Sequence, residues 1–351
     1  MVPEYDKIHL KFSLNGINYD RDALHEVAYS FIKEGDENEK SIGDFLLDWL
    51  DNKELITLYT SGSTGPQKLI TVPKQSLVAS AIASGNFFGL EPGNTALQCL
   101  PTKYISGKIM FVRAMILGLE LDYTIPESSP VYDPNKKYDF CAMVPLQLRK
   151  CIDRISNFKT LIVGGAAVPT DLVEAIRDLP TRIYETYGMT ETVSHIALKA
   201  LNGPDASDIF KVLEGVSLSV DDRSCLIINA QHLRQEPIVT NDLVELISDT
   251  EFRMIGRYDN IINSGGVKLN PEQIESKIQK YLPNRFFVAS EPDTELGEKV
   301  ILVIEGNEGE DYSKSLVDLD KFETPKKIYI LKEFVETPTQ KIDRSATLKL
   351  L

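Results

Sequence analysis

TLYTSGSTGPQK, residues Thr57–Lys68, joins two apolar runs of strand length, LITLYT (Leu55–Thr60) and KLITVPK (Lys68–Lys74). Thr60, Ser61, Ser63 and Thr64 supply hydroxyl donors, while Gly62 and Gly65 allow a tight turn that exposes backbone N–H groups. Lys68 closes the segment with a positive charge, completing a cradle for a polyphosphate. A small-residue surface turn would explain the glycines and serines, but not their unbroken alternation ending in Pro-x-Lys. A Walker loop fails on spacing, since it needs Gly, four residues, then Gly-Lys followed by Ser or Thr at a helix start. Here Lys68 lies between Gln67 and Leu69, and a strand pattern follows.

Beyond the loop, Gln75 to Phe88 has helical spacing. Apolar runs then alternate with helix-like segments: ALQCL, Lys108–Leu119, YDFCAMV, TLIVGG, Thr170–Leu179 and TRIYETYG. Such alternation predicts an α/β fold with largely parallel sheets. Before the loop, Ser41–Leu50 places Ile42, Phe45, Leu46 and Trp49 on one helical face. After His195 short β-type runs dominate (SLSV, CLIINA, LVELIS, EFRMI). A further change comes at GRYDNIINSGGVKLNPEQIE, where Asn270 can cap a helix beginning with Pro271. The expectation is a large α/β domain over residues 1–256 and a small α+β domain over 257–351, with the boundary near Arg257–Asn260.

A chain of 351 residues suits one large and one smaller core. The net charge of −14 argues against a nucleic-acid partner or an anionic-membrane surface, because both need a basic footprint. It leaves room for an anionic small ligand held locally. Cys99, Cys141, Cys151 and Cys225 form no CxxC pair and read as reduced, buried thiols. No run of about 18 apolar residues occurs, so no membrane span is expected. MVPEYDKIHLKF lacks a secretory pattern, and a cytoplasmic location is the expectation. Homo-oligomerisation stays open.

The loop resembles the phosphate-binding signature of the adenylate-forming superfamily of acyl-CoA synthetases, luciferases and peptide-synthetase adenylation domains. Further motifs in the same order carry the likeness over about residues 57–344. GGAAVP (Gly164–Pro169) resembles the turn that family places against adenine and acyl group, which implies roles for Gly164, Gly165 and Ala166. YETYGMTET (Tyr184–Thr192) is more specific: the resemblance implies Tyr187 and Gly188 at the adenine, Thr190 at the α-phosphate and Glu191 on Mg²⁺. A carboxylate is a hard oxygen ligand suited to that ion. TNDLVEL (Thr240–Leu246) implies Asp242 on the ribose with Arg257 beside it, although Asn241 stands where glycine is usual. Asp259 matches the hinge about which the small domain turns. Gly266 matches the glycine beside the coenzyme A tunnel, a position a hairpin turn explains equally well. PTQKIDR (Pro338–Arg344) resembles the final motif, with Lys341 as the catalytic lysine and Gln340 in place of the usual glycine. The first domain is shortened relative to longer members. The implied activity is ATP-dependent activation of a carboxylic acid as acyl-AMP, followed by transfer to coenzyme A.

CLPTKYISGKIM (Cys99–Met110) aligns with the acyl-site motif and points to Tyr104, Ser106, Gly107 and Lys108 at the substrate. Between Leu97 and Arg113 there is no acid to hold an amino group, but there are Lys103, Lys108 and Arg113. Cations there favour a substrate with a second anionic group, paired with Lys108 or Lys103, although a solvated helix face also accounts for any one of them. YISGK and ETYGMTETVSHIALK narrow the likeness to ligases for an aromatic acid with an extra carboxylate. His195 either lines the acyl pocket or is a buried structural histidine. Three alternatives stand beside this reading: a ligase for another aryl or acyl acid, a ligase loading a carrier protein, and a nucleotide-binding regulator without catalysis.

Overall fold

A computed structural model describes residues 2–59, 69–307, 309, 312–336 and 342–351. The phosphate-loop residues Thr60, Ser61, Gly62, Ser63, Thr64, Gly65 and Lys68 lie outside the described residues, as does Lys341. The chain divides into two compact units. The first comprises Met1–Val168, Ala175–Ser217 and Asn229–Ile238, and the second comprises Pro169–Glu174, Leu218–Ile228 and Val239–Leu351. The second unit is wider than the 257–351 segment read from the sequence, because it includes the strand region that precedes Arg257.

The first unit opens with two antiparallel-packed helices, α1 (Arg21–Glu34) and α2 (Glu37–Leu50). A capping box starts α2: Asp36 accepts from the Glu39 N–H while the Glu39 carboxylate accepts from the Asp36 N–H. The buried face of α2 includes Ile42, Phe45, Leu46 and Trp49, as the spacing predicts. The periodicity reading did not find α1, which buries only Leu24 and Ala28 and so carries too thin an apolar stripe. Strands Leu55–Tyr59 and Leu69–Pro73 pair antiparallel as a two-stranded sheet, with Tyr59 opposite Leu69. α3 (Lys74–Phe88) and α4 (Ile105–Leu117) follow, each ended by a left-handed glycine, Gly89 and Gly118.

The core of this unit is a run of nine strands in the order Phe210–Val212, His195–Ala200, Arg182–Gly188, Phe158–Val163, Tyr138–Met143, Thr95–Gln98, Glu120–Tyr123, Ser13–Leu14 and Ile17–Asn18. Pairing is parallel from Arg182–Gly188 through to Ser13–Leu14. His195–Ala200 returns antiparallel beside Arg182–Gly188. The main apolar core packs α2, α3 and α4 side chains with the sheet; Phe45, Trp49, Phe111, Met115 and Phe140 are among the fully buried. Each such side chain contributes about 1.5–3 kcal/mol by leaving water.

In the second unit Ser217–Val220, Cys225–Asn229, Ile238–Leu246 and Glu251–Arg257 are successive neighbours. A five-stranded sheet follows, in which Phe286–Asp293 and Gly297–Glu305 form a long antiparallel pair and Lys327–Leu331 runs parallel to the latter. Asn270 caps the helix Pro271–Ile278 by accepting from the N–H groups of Glu272 and Gln273. This helix buries Ile274 and Ile278 in a core with Val288, Val300 and Leu302. Among the described residues no helix is long and apolar enough to cross a membrane.

Candidate active site

The parallel strands bring the scattered motifs of the first unit to one edge of one sheet. Gln98 leads into the segment containing Tyr104, Val163 into Gly164–Ala166, and Arg182–Gly188 into Thr190 and Glu191. These are the carboxyl ends of the strands, where open α/β sheets bind ligands. A shallow cleft of 370 Å³ at the amino ends of the same strands, lined by Lys137, Asp139 and Lys159 among others, contains none of the motif residues.

Close approach explains the glycines. A Cβ on Gly164 would lie 2.3 Å from Thr186 Oγ1, and its N–H donates to Met143 O at 3.1 Å. Gly165 has φ +88°, a conformation a side chain rarely adopts, and leaves this edge bare. Ala166 is exposed beside it. A Cβ on Gly188 would meet Ser194 O at 2.4 Å. Tyr187 is half-buried and meets Phe210 edge-on at 6.0 Å. Thr190 is buried and Glu191 half-buried in a short 3₁₀ turn, Thr190–Thr192. Thr192 Oγ1 stitches the turn by accepting from the Met189 N–H at 2.9 Å.

Val193 follows with φ +68° and ψ −44°, and Ser194 N–H donates to Thr192 O at 2.7 Å. This is a γ-turn of the strained sort, centred on a β-branched residue that strongly resists positive φ. It costs about 1–3 kcal/mol. Burial of the Val193 side chain in the main core holds it there, and the turn delivers His195 to the sheet edge.

His195 is buried against two helices. Its Nε2 lies 3.2 Å from Ser84 Oγ of α3, and its Nδ1 lies 3.3 Å from Arg113 Nη2 of α4. Arg113 Nη2 also donates to Ser194 Oγ at 3.1 Å, and the guanidinium sits 5.8 Å from the Phe140 ring centre. Arg113 is 1% exposed, and no carboxylate among the described residues pairs with it. Its Nε is buried without a partner. Burial pushes its pKa down to about 9, which still leaves it charged at neutral pH. Burial first, and the Arg113 charge second, hold the His195 imidazole well below its ordinary pKa, so the ring is neutral.

The other acyl-motif residues have different surroundings. Tyr104 is the half-buried N-cap of α4 and Ser106 is exposed. Gly107 is tightly packed: a Cβ there would be 2.3 Å from Pro101 O, and its own carbonyl accepts from Gln98 Nε2. Lys108 is buried with Nζ 5.7 Å from the Phe45 ring of α2. Burial lowers its pKa, while Asp48 and Asp44 oppose the shift. Lys103 is exposed and lies over Tyr104. The cation that meets His195 is therefore Arg113, while Lys108 faces α2. Ser84 and Ser194 were not singled out by the sequence reading. A signal for Ser84 was present in α3, where Ser76, Ser80 and Ser84 recur every four residues and all three are buried.

In the second unit Asp242 and Arg257 are register partners on adjacent antiparallel strands. Arg257 Nη1 donates to Asp242 Oδ1 at 3.0 Å and its Nη2 to Asp259 Oδ2 at 3.1 Å. Asn241 Nδ2 donates to both Asp259 oxygens, at 3.1 and 3.2 Å. Arg223 Nη1 in turn donates to Asn241 Oδ1 at 3.0 Å. Gly265 and Gly266, with φ +59° and +83°, form the two-residue turn between Ile262–Ser264 and Val267–Leu269. Two successive positive-φ glycines satisfy a tight hairpin by themselves. Glu336 bridges Ile342, and Asp343 caps the helix Arg344–Leu348. Arg344 Nη2 donates to Glu275 Oε2 at 2.9 Å.

Among the described residues no group of three metal-ligating side chains occurs. A magnesium ion shared by one carboxylate and nucleotide phosphates needs no such group, and the half-buried Glu191 fits that donor set.

Strand order and the bare glycine edge define an α/β protein whose motif residues in the first unit gather at the carboxyl ends of its strands, where open α/β sheets bind ligands. The model of the family of AMP-binding enzymes matches residues 19–230, and the chain belongs to that family. It is 25% identical over 330 residues to the 2-succinylbenzoate–CoA ligase of Lactococcus lactis, covering 85% of this chain and 71% of that enzyme. It is 41% identical to an acyl-CoA synthetase (AMP-forming)/AMP-acid ligase II-like protein of Dyadobacter fermentans, with a TM-score of 0.61 over 90% of this chain and 95% of that one. The o-succinylbenzoate coenzyme A synthetase of Bacillus subtilis, solved with ATP and magnesium, is 18% identical and shares the fold, with a TM-score of 0.70 over 83% of this chain and 69% of that one.

Proposed function

We propose that the chain is an AMP-forming acid–CoA ligase whose acid is o-succinylbenzoate, as in menaquinone synthesis. Arg113 is the observation that carries the choice of acid. A buried guanidinium without a carboxylate partner is costly to maintain, and a substrate bearing a second carboxylate supplies the missing anion. This assigns to Arg113 the role the cation pattern first pointed to in Lys108 or Lys103.

In the proposed reaction the reacting carboxylate attacks the α-phosphorus of ATP, and the P–O bond to pyrophosphate breaks. Thr60–Lys68 hold the leaving pyrophosphate by backbone and hydroxyl donors. Thr190 bonds the α-phosphate, Tyr187 and Gly164–Ala166 border the adenine, and Asp242 and Arg257 hold the ribose. Bound at Glu191, magnesium would neutralise phosphate charge. Lys341 places an ammonium between carboxylate and α-phosphate, where negative charge crowds in the transition state. Residues 257–351 act as a lid that turns at Asp259, withdrawing Lys341 and admitting the coenzyme A thiol past Gly266.

ATP–pyrophosphate exchange with o-succinylbenzoate, benzoate, fatty acids and amino acids tests the reading. Exchange is expected with o-succinylbenzoate above the others, and coenzyme A should convert the adenylate to a thioester. Absence of exchange with every acid would overturn it. Exchange with an acid but no acceptance by free coenzyme A would indicate a carrier protein instead.

A further inference from the structure

We infer that Ser84 is a positioning residue of the acid pocket: it accepts from the Nε2–H of His195, and the ring so held aims Arg113 at the substrate's second carboxylate. The inference rests on the reading of Arg113 as the acid's receptor and deepens it.

The proton count is forced by the donors. A guanidinium has N–H donors and no acceptor. With Arg113 Nη2 3.3 Å from Nδ1, that nitrogen has to accept, so the single imidazole proton sits on Nε2. Nε2–H then donates to Ser84 Oγ at 3.2 Å. Reversing the tautomer would set an N–H against Arg113 and leave Nε2 without a proton to give. A doubly protonated ring would put two cations in contact in a buried site.

Three separate elements therefore converge on the guanidinium. Helix α4 supplies Arg113, the strained turn at Val193 supplies Ser194 and His195, and α3 supplies the serine that anchors the far nitrogen of the ring. His195 and Ser194 both occupy Nη2, so the buried Nε is among the donors left for a bound anion. Ser84 reaches none of the reacting atoms and acts through His195 alone.

Steady-state kinetics of Ser84→Ala and Ser84→Thr, with nitrogen NMR of the labelled imidazoles, tests this. His195→Gln identifies the His195 signals among the four histidines. The wild type should show a protonated Nε2 and an acceptor Nδ1. Ser84→Ala should raise KM for o-succinylbenzoate about tenfold, the weight of one net hydrogen bond, with kcat and KM for ATP held. Ser84→Thr, which keeps the hydroxyl, should restore most of the affinity. Equal losses with o-succinylbenzoate and benzoate, or a protonated Nδ1 in the wild type, would overturn the inference. If the wild type does not use o-succinylbenzoate, the substrate reading falls. The NMR arm still tests Ser84: an Nε2 signal unmoved by Ser84→Ala overturns its role, and a shift of that signal with the proton still on Nε2 supports it.

Discussion

Arg113 and Lys108 lie five residues apart on one helix, yet they meet opposite surroundings. Lys108 has Asp44 and Asp48 to offset its burial, and Arg113 has only neutral partners, Ser194 and His195. Replacing Arg113 by lysine keeps a charge but loses the planar fork that suits a carboxylate. Arg113→Lys should raise KM for o-succinylbenzoate about 30-fold, roughly 2 kcal/mol, with little change in kcat for a monoacid. Initial-rate kinetics on both acids checks it, and parallel losses would mark a packing defect. The motif reading found the residue types of this pocket but not its partnership. Which cation in YISGKIMFVR turns toward His195 depends on how α4 rotates against α2 and α3, and both helix faces are buried.

At the scale of elements, α2 and α3 are joined by one side chain. Lys74, fully buried at the start of α3, donates to Trp49 O and Asp51 O at 3.0 Å and to Asp51 Oδ1 at 2.6 Å. It thus satisfies carbonyls that the end of α2 would otherwise leave unpaired. Lys74→Met should destabilise the first unit by about 3 kcal/mol, because a carboxylate and two carbonyls each lose a buried donor. Burial alone would raise the Asp51 pKa, but hydrogen bonds from Lys74 and Lys53 outweigh it and hold it at about 2 instead of 3.8. A depressed folded-state pKa gives stability that is complete above the unfolded value and is lost as pH falls through the folded one. The melting-temperature gap between wild type and Lys74→Met should therefore be constant above about pH 5 and narrow toward pH 2. A gap that does not change would show that the ion pair adds nothing to the carbonyl bonds. Helices such as α2 and α3 were legible from the spacing of their apolar residues. The short strand His195–Ala200 was not, since four of its six residues are buried and it has no alternation to read.

The whole molecule has to run two half-reactions, and the lid proposal makes them separable. Lys341→Ala should cut pyrophosphate exchange at least 100-fold while sparing thioester formation from supplied acyl-AMP; equal loss of both would refute the lysine's assigned role. Asn241 stands where the family resemblance expects glycine, and its amide donates to both oxygens of Asp259, which a glycine could not do. Asn241→Gly should change the ratio of thioester formation to pyrophosphate exchange two- to fivefold, about the worth of an exposed hydrogen bond, and single-turnover kinetics would show it. An unchanged ratio would mean that Asp259 is not the turning point or that the contact does not restrain it. The sequence by itself determined the α/β class and the order of motifs, because hydrophobic period and the spacing of glycines and hydroxyls are local properties of the chain. Only the tertiary structure decided that Arg113 is a buried cation lacking an acid among the described residues, that a strained turn presents His195 to it, and that Ser84 meets the far side of that ring. Those facts arise from contacts spanning 81 to 111 residues of chain, and no local pattern encodes which of several buried polar groups will meet.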